Sequence, residues 1–101
     1  MSMTDARSPW LQAGAWLKSL RCAQDITAAE LAEQIGAPSG RWIEEVEAGR
    51  RPAPSAYYKA YARQFRLQAS DFAARCLGYY DPVAYEALFG ADEPAAALRA
   101  A

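Results

Sequence analysis

Three observations predict an all-α protein. β-Branched residues are scarce and few residues alternate with period two, whereas Ala, Leu, Glu, Gln and Arg dominate the chain. Apolar residues recur at spacings of three and four, the signature of helices with one buried face. The breaks between these stretches carry helix-ending chemistry at Gly36, Pro38, Gly49 and Gly90. With 101 residues, 52% of them hydrophobic, the length supports one domain around one core.

The first helix is predicted over about Pro9 to Ala23. Trp10, Ala13, Leu17 and Leu20 form its apolar stripe, with Ser8 as N-cap and Pro9 at the first helical position. The second opens on Thr27-Ala-Ala-Glu30, a capping box in which the Thr hydroxyl accepts the N3 amide and Glu30 reaches back. Ile26 is placed to pack on Leu31, and Gly36 to close the helix in the left-handed conformation. The third starts near Ser39 or Gly40, turns Ile43 and Val46 inward and ends at Gly49. The fourth runs from about Ser55 to Arg66, with Tyr58, Ala62 and Phe65 on the buried side and Tyr61 beside them. The fifth covers about Ser70 to Tyr79, with Phe72, Cys76 and Leu77 inward. Asp81-Pro82 caps a short sixth helix carrying Tyr85, Leu88 and Phe89, and residues 91–101, mostly alanine, read as a frayed tail.

Composition excludes several classes of function. The chain has two cysteines, Cys22 and Cys76, and no histidine. That set cannot complete a zinc site, and it lacks the commonest general base. No phosphate-binding glycine loop or nucleophile elbow is present, so neither an enzyme nor a cofactor is expected. Both cysteines are expected to be buried and reduced. No membrane span and no signal segment is expected, which predicts a cytoplasmic protein. The net charge is −1, but its distribution is uneven. Residues 41–66 hold six basic groups (Arg41, Arg50, Arg51, Lys59, Arg63, Arg66) and three acidic ones, and residues 67–101 hold two basic and five acidic.

The short gap between the second and third helices predicts a helix-turn-helix. Leu31 and Ile35 meet Ile43 and Val46, and the outer face of the third helix is left to project. A helix presented in this way has the width of the DNA major groove. The N-termini at Thr27 and Ser39 are suited to phosphate, and Arg50 and Arg51 are expected at the DNA backbone. Trp42 is expected to be partly buried at the edge of the core.

Three segments carry a family resemblance: "LKSLR" (17–21), "DITAAELAEQIG" (25–36) and "IEEVEAGRRP" (43–52). Together they resemble the XRE-type, lambda-repressor-like helix-turn-helix regulators of bacteria and phage, over about Leu17 to Phe72. "YYDPVAYEALFG" (79–90) resembles the tail of a proteobacterial, often phage-associated, subgroup. The resemblance implies a lambda-repressor-like five-helix DNA-binding domain over 9–80, with a C-terminal helical extension and tail over 81–101. It implies a sequence-specific transcriptional regulator that binds double-stranded DNA as a homodimer on a near-palindromic operator.

Matched to the family, Gly40, Arg41 and Glu45 are base-facing with Glu44 on the rim, and Ala28 stands at a DNA-backbone position. Arg21 and Glu47 are implied to form a structural pair. Tyr79, Tyr80, Tyr85, Leu88 and Phe89 are expected to form a dimer or partner surface. The chain departs from the family in three places. Ala28 replaces a glutamine, the turn "GAPSG" is one residue longer, and Glu44 and Glu45 make the third helix acidic. These departures keep a second reading open, a protein-interaction adaptor, polymerase-recruiting factor or antitoxin-like partner with weak DNA binding.

Overall fold

A computed structural model describes residues 8–90, which form α1 (Ser8–Ala23), α2 (Ala28–Ile35), α3 (Gly40–Glu47), α4 (Tyr58–Phe65), α5 (Ala69–Tyr80) and α6 (Pro82–Phe89). A single 3-10 turn, Ser55–Tyr57, leads into α4. No strand occurs among the described residues, and no helix among them is long and apolar enough to cross a membrane. The expectations for the Ser8 cap and for the tail at 91–101 lie outside the described side chains and residues.

The helix boundaries follow local chemistry. The Glu30 amide donates to Thr27 Oγ1 at 3.0 Å, and the Thr27 amide donates to Glu30 Oε1 at 2.8 Å, so the predicted capping box is present. Gly36, at φ +77, closes α2 in the left-handed region, and the Ala37 amide donates to the Ala32 carbonyl at 2.9 Å. Ser39 caps α3 by accepting the Trp42 amide at 3.1 Å. Asp81 caps α6 by accepting the Ala84 amide at 3.1 Å, with Pro82 at the first helical position.

α2 and α3 pack on each other, α1 packs on α3 and α5, and α4 packs on α2 and α5. The fully buried centre is Leu17, Leu31, Ile43, Val46, Tyr61, Phe72 and Cys76. Each large aliphatic side chain there contributes roughly 1.5–3 kcal/mol by leaving water. Phe72 is the aromatic hub, with Trp16, Tyr61 and Tyr58 rings at 5.2, 5.5 and 5.8 Å. Gly14 lets α1 cross the end of α3 at backbone contact, because a Cβ at that position would lie 2.1 Å from the Glu47 carbonyl oxygen.

Several expectations need correction. Cys22 is exposed, not buried. The α1 stripe of Ala13 and Leu17 continues to Arg21, and the next residue falls on the outer face. Tyr61, not Tyr58, takes the fully buried place on α4, and Tyr58 is half-buried beside it. Residues 55–57 form the 3-10 turn rather than the first turn of an α-helix, since Pro54 precedes them without a side-chain cap. Tyr80 belongs to α5 and lines the core rather than an outer surface.

Candidate functional site

α3 has one buried and one open side. Ile43 and Val46 are fully buried, and Trp42, 9% exposed, closes the edge of the core against the Tyr57 ring at 5.0 Å. The helical period then leaves Arg41, Glu44 and Glu45 on the other side.

Three of the residues singled out from the sequence meet there. Glu45 Oε2 lies 3.7 Å from Arg41 Nε, and Glu45 Oε1 lies 3.0 Å from Arg51 Nη2. The Arg51 guanidinium also stands over the Trp42 ring, 5.9 Å from its centroid. The result is one charged row, Arg41–Glu45–Arg51, with its Arg51 end over the Trp42 indole. The Arg41 side chain is 87% exposed and Arg51 46%, whereas Glu45 between them is 27% exposed. Arg50 is exposed beyond the end of the helix, where its amide donates to the Glu45 carbonyl at 3.0 Å. Glu44 lies on the opposite flank, lining a hollow with Lys18, Arg21, Glu47 and Ala48.

A second charged pair sets the frame. Arg21 Nε and Nη2 donate to Glu47 Oε2 and Oε1 at 2.8 and 2.9 Å, a bidentate pair, and Nη1 donates to the Ile26 carbonyl at 2.8 Å. The two side chains are 13% and 5% exposed. The Glu47 carboxylate therefore holds the Arg21 guanidinium more firmly protonated than usual. One side chain of α1 thus ties the entry of α2 to the end of α3.

Other predicted site residues are placed differently. Gly40 faces inward: a Cβ there would lie 2.9 Å from the Ala29 amide nitrogen, so this position serves the close crossing of α2 and α3. The short connection from Gly36 to Ser39 forces that approach. Ala28 is 8% exposed and its methyl joins the core. Thr27 and Ser39 are exposed, but both hydroxyls already accept their cap amides.

Of the residues expected at a partner surface, those on α6 are exposed and those on α5 pack inward. The Tyr79 hydroxyl accepts from Arg75 Nη2 at 3.1 Å and its ring lies 6.1 Å from Trp16, while the Tyr80 ring stands edge-on to Trp10 at 6.2 Å. Both therefore pack inward on α1. On α6, Val83, Leu88, Phe89 and Tyr85 are 78%, 61%, 51% and 39% exposed, and no residue of the helix is buried. The Tyr85 ring rests on Gly78 of α5.

Some positioning residues carry no local signal in the chain. Gln24 Nε2 donates to the Gln64 carbonyl at 2.8 Å, and Gln64 Nε2 donates back to Gln24 Oε1 at 2.9 Å, across forty positions. Gly14 is also unmarked, since a glycine inside a helical stretch does not announce what it crosses. Arg75, 4.4 Å over the Trp16 ring, could be placed only once α1 and α5 were seen side by side. No protein-family model, no curated protein and no solved structure matches the chain.

Proposed function

We propose that the protein is a sequence-specific DNA-binding transcriptional regulator of the XRE, lambda-repressor-like type, which reads the major groove with α3. The observation that carries this reading is the α2–turn–α3 unit. Both helices are capped by their own side chains, their facing sides are buried, and an outer row with Arg41 and Arg51 projects to solvent. The motifs at 17–21, 25–36 and 43–52 add the family likeness. Arg41 is the base reader, paired with guanine O6 and N7, and Arg50 and Arg51 hold phosphates. Two copies pair through α6, which sets two α3 helices about 34 Å apart on a near-palindromic site.

Selection of bound duplexes from a random pool tests this reading, with an enriched inverted repeat as the expected result. Arg41→Ala should relax one base pair of the selected motif, a loss of ~1–3 kcal/mol in discrimination. Arg51→Ala should weaken all sequences and flatten the salt slope by about one. An unchanged motif for Arg41→Ala would remove it as reader.

A second reading is a protein-interaction module, either an adaptor or an antitoxin-like partner. It is favoured by the acidic Glu44 and Glu45 on α3 and the apolar surface of α6. Absence of any enriched duplex, at low as well as moderate salt, would select it.

A further inference from the structure

We infer that Glu45 is an internal counter-ion for the two arginines of the α3 face, so that DNA binds well only where it gives the arginines acceptors and the displaced Glu45 an amino donor. The inference rests on the DNA-binding reading above and goes beyond it by naming what the site discriminates. In the free protein the two Glu45 oxygens face different arginines, Oε1 toward Arg51 and Oε2 toward Arg41, at 3.0 and 3.7 Å. A carboxylate and a phosphate present the same thing to a guanidinium, anionic oxygens that accept N–H donors. Glu45 therefore competes directly with the DNA backbone for these groups.

The placement makes that competition effective. Glu45 is the least exposed member of the row, at 27%, while Arg41 and Arg51 reach outward from either side of it. Trp42 gives Arg51 an aromatic surface at 5.9 Å that favours the clamped position. The Arg41–Glu45 contact spans one turn of α3, and Arg51 folds back from beyond the helix end to complete it.

Binding must then exchange partners. A phosphate or a guanine edge replaces the carboxylate on the arginines, and Glu45, now facing the duplex, requires a donor of its own. In the major groove that donor is the amino group of cytosine N4 or adenine N6. Where a guanine for Arg41 stands beside such an amino group, every group ends paired. Elsewhere Glu45 is left among phosphates and acceptors, and the complex is disfavoured. Glu45 thus lowers affinity for DNA in general and raises the ratio between right and wrong sequences.

Glu45→Gln keeps the shape and one acceptor but removes the charge. It should bind random duplex ~10-fold more tightly at moderate salt, with a salt slope steeper by about one. The ratio of selected to random affinity should fall by at least about fivefold, at the low end for loss of one good base contact. Adding Arg51→Ala to Glu45→Gln should cancel most of the gain, because the released arginine produces it. Circular dichroism of each variant should match the parent, as Glu45 contributes nothing to the core.

A readout without DNA follows the clamp itself. Nitrogen NMR of the Arg51 guanidinium should show faster Cζ–Nη rotation in Glu45→Gln than in the parent. Identical Arg51 dynamics, or parent-like binding of random duplex by Glu45→Gln, overturns the inference while the parent's own DNA binding stands. If neither protein binds any duplex at low salt, the DNA-binding reading and the gate built on it both fall.

Discussion

Arg21 illustrates how much one side chain can organise. Its five donors reach Glu47 twice and the Ile26 carbonyl once, so α1, the entry of α2 and the end of α3 share one anchor. Replacing it by Met leaves the Glu47 carboxylate, 5% exposed, without its partner. We expect a loss of roughly 3–5 kcal/mol in chemical denaturation, with much of it regained when Glu47→Met is added. A loss well under 1 kcal/mol would show that the pair does not hold the frame. The two cysteines differ in the same way, by which side of a helix they occupy. Cys22 is exposed, while Cys76 is fully buried and burial pushes its thiol up to about 12. A thiol reagent at neutral pH should label one cysteine per native chain quickly and the second only on unfolding; fast labelling of both would contradict the packing of Cys76.

At the scale of elements, α6 behaves differently from the other five helices. Asp81 caps its first turn and Gly90 follows its last residue, yet it buries nothing completely and packs chiefly on α5. Val83, Leu88, Phe89 and Tyr85 are large apolar side chains left exposed along this one helix, the kind of surface that marks interaction sites. Removing residues 82–101 should therefore leave the α1–α5 helical signal and cooperative unfolding intact. The same truncation should turn a dimer into a monomer by light scattering and weaken operator binding. Cutting further, at residue 78, should instead destabilise the fold, because Tyr79 and Tyr80 pack on Trp16 and Trp10. A protein truncated after residue 81 that stays dimeric would place the contact between copies elsewhere.

For the whole molecule, the consequence of this core is sensitivity to alkali. Tyr58, Tyr61, Tyr80 and Cys76 are all shifted upward, in each case chiefly by burial. The Tyr61 hydroxyl has no hydrogen-bond partner among the described residues, which removes any stabilisation of its phenolate. A group that resists losing its proton in the folded state leaves stability unchanged below its unfolded pKa. Stability then falls as the pH rises from that value to the folded one. For tyrosine the fall begins near pH 10, and for cysteine near 8.5 to 9. Tyr80, pushed up to about 12 chiefly by burial, contributes to this loss between its unfolded and folded values. Urea titrations should give equal stabilities at about pH 7 and 8 and a steep loss by about pH 11, with tyrosinate absorbance rising as the chain unfolds. Equal stability at about pH 8 and 11 would contradict the burial of these hydroxyls.

The sequence by itself determined the parts that depend on neighbours a few positions apart. The all-α class, the capping box at Thr27 and Glu30, the left-handed closure at Gly36, the Ser39 and Asp81 caps and the inner face of Ile43 and Val46 are all of this kind. Their partners lie within one or two helical turns, so spacing alone carries the information. Part of the candidate site was legible for the same reason: Arg41 and Glu45 are four residues apart on one helix. The tertiary structure decided what depends on how helices cross. It turned Arg21 inward and Cys22 outward, placed Gly14 and Gly40 at backbone contacts, drew Ala28 into the core and joined Gln24 to Gln64. It also brought Arg51 back from beyond α3 onto Glu45 and Trp42, turning two like-looking residues of a basic segment into parts of one charged row. The physical reason is that a helical period specifies a face but not the element that covers it. Only the crossing of α1, α2 and α3, fixed by close glycine contacts and a buried ion pair, decides which side chains meet.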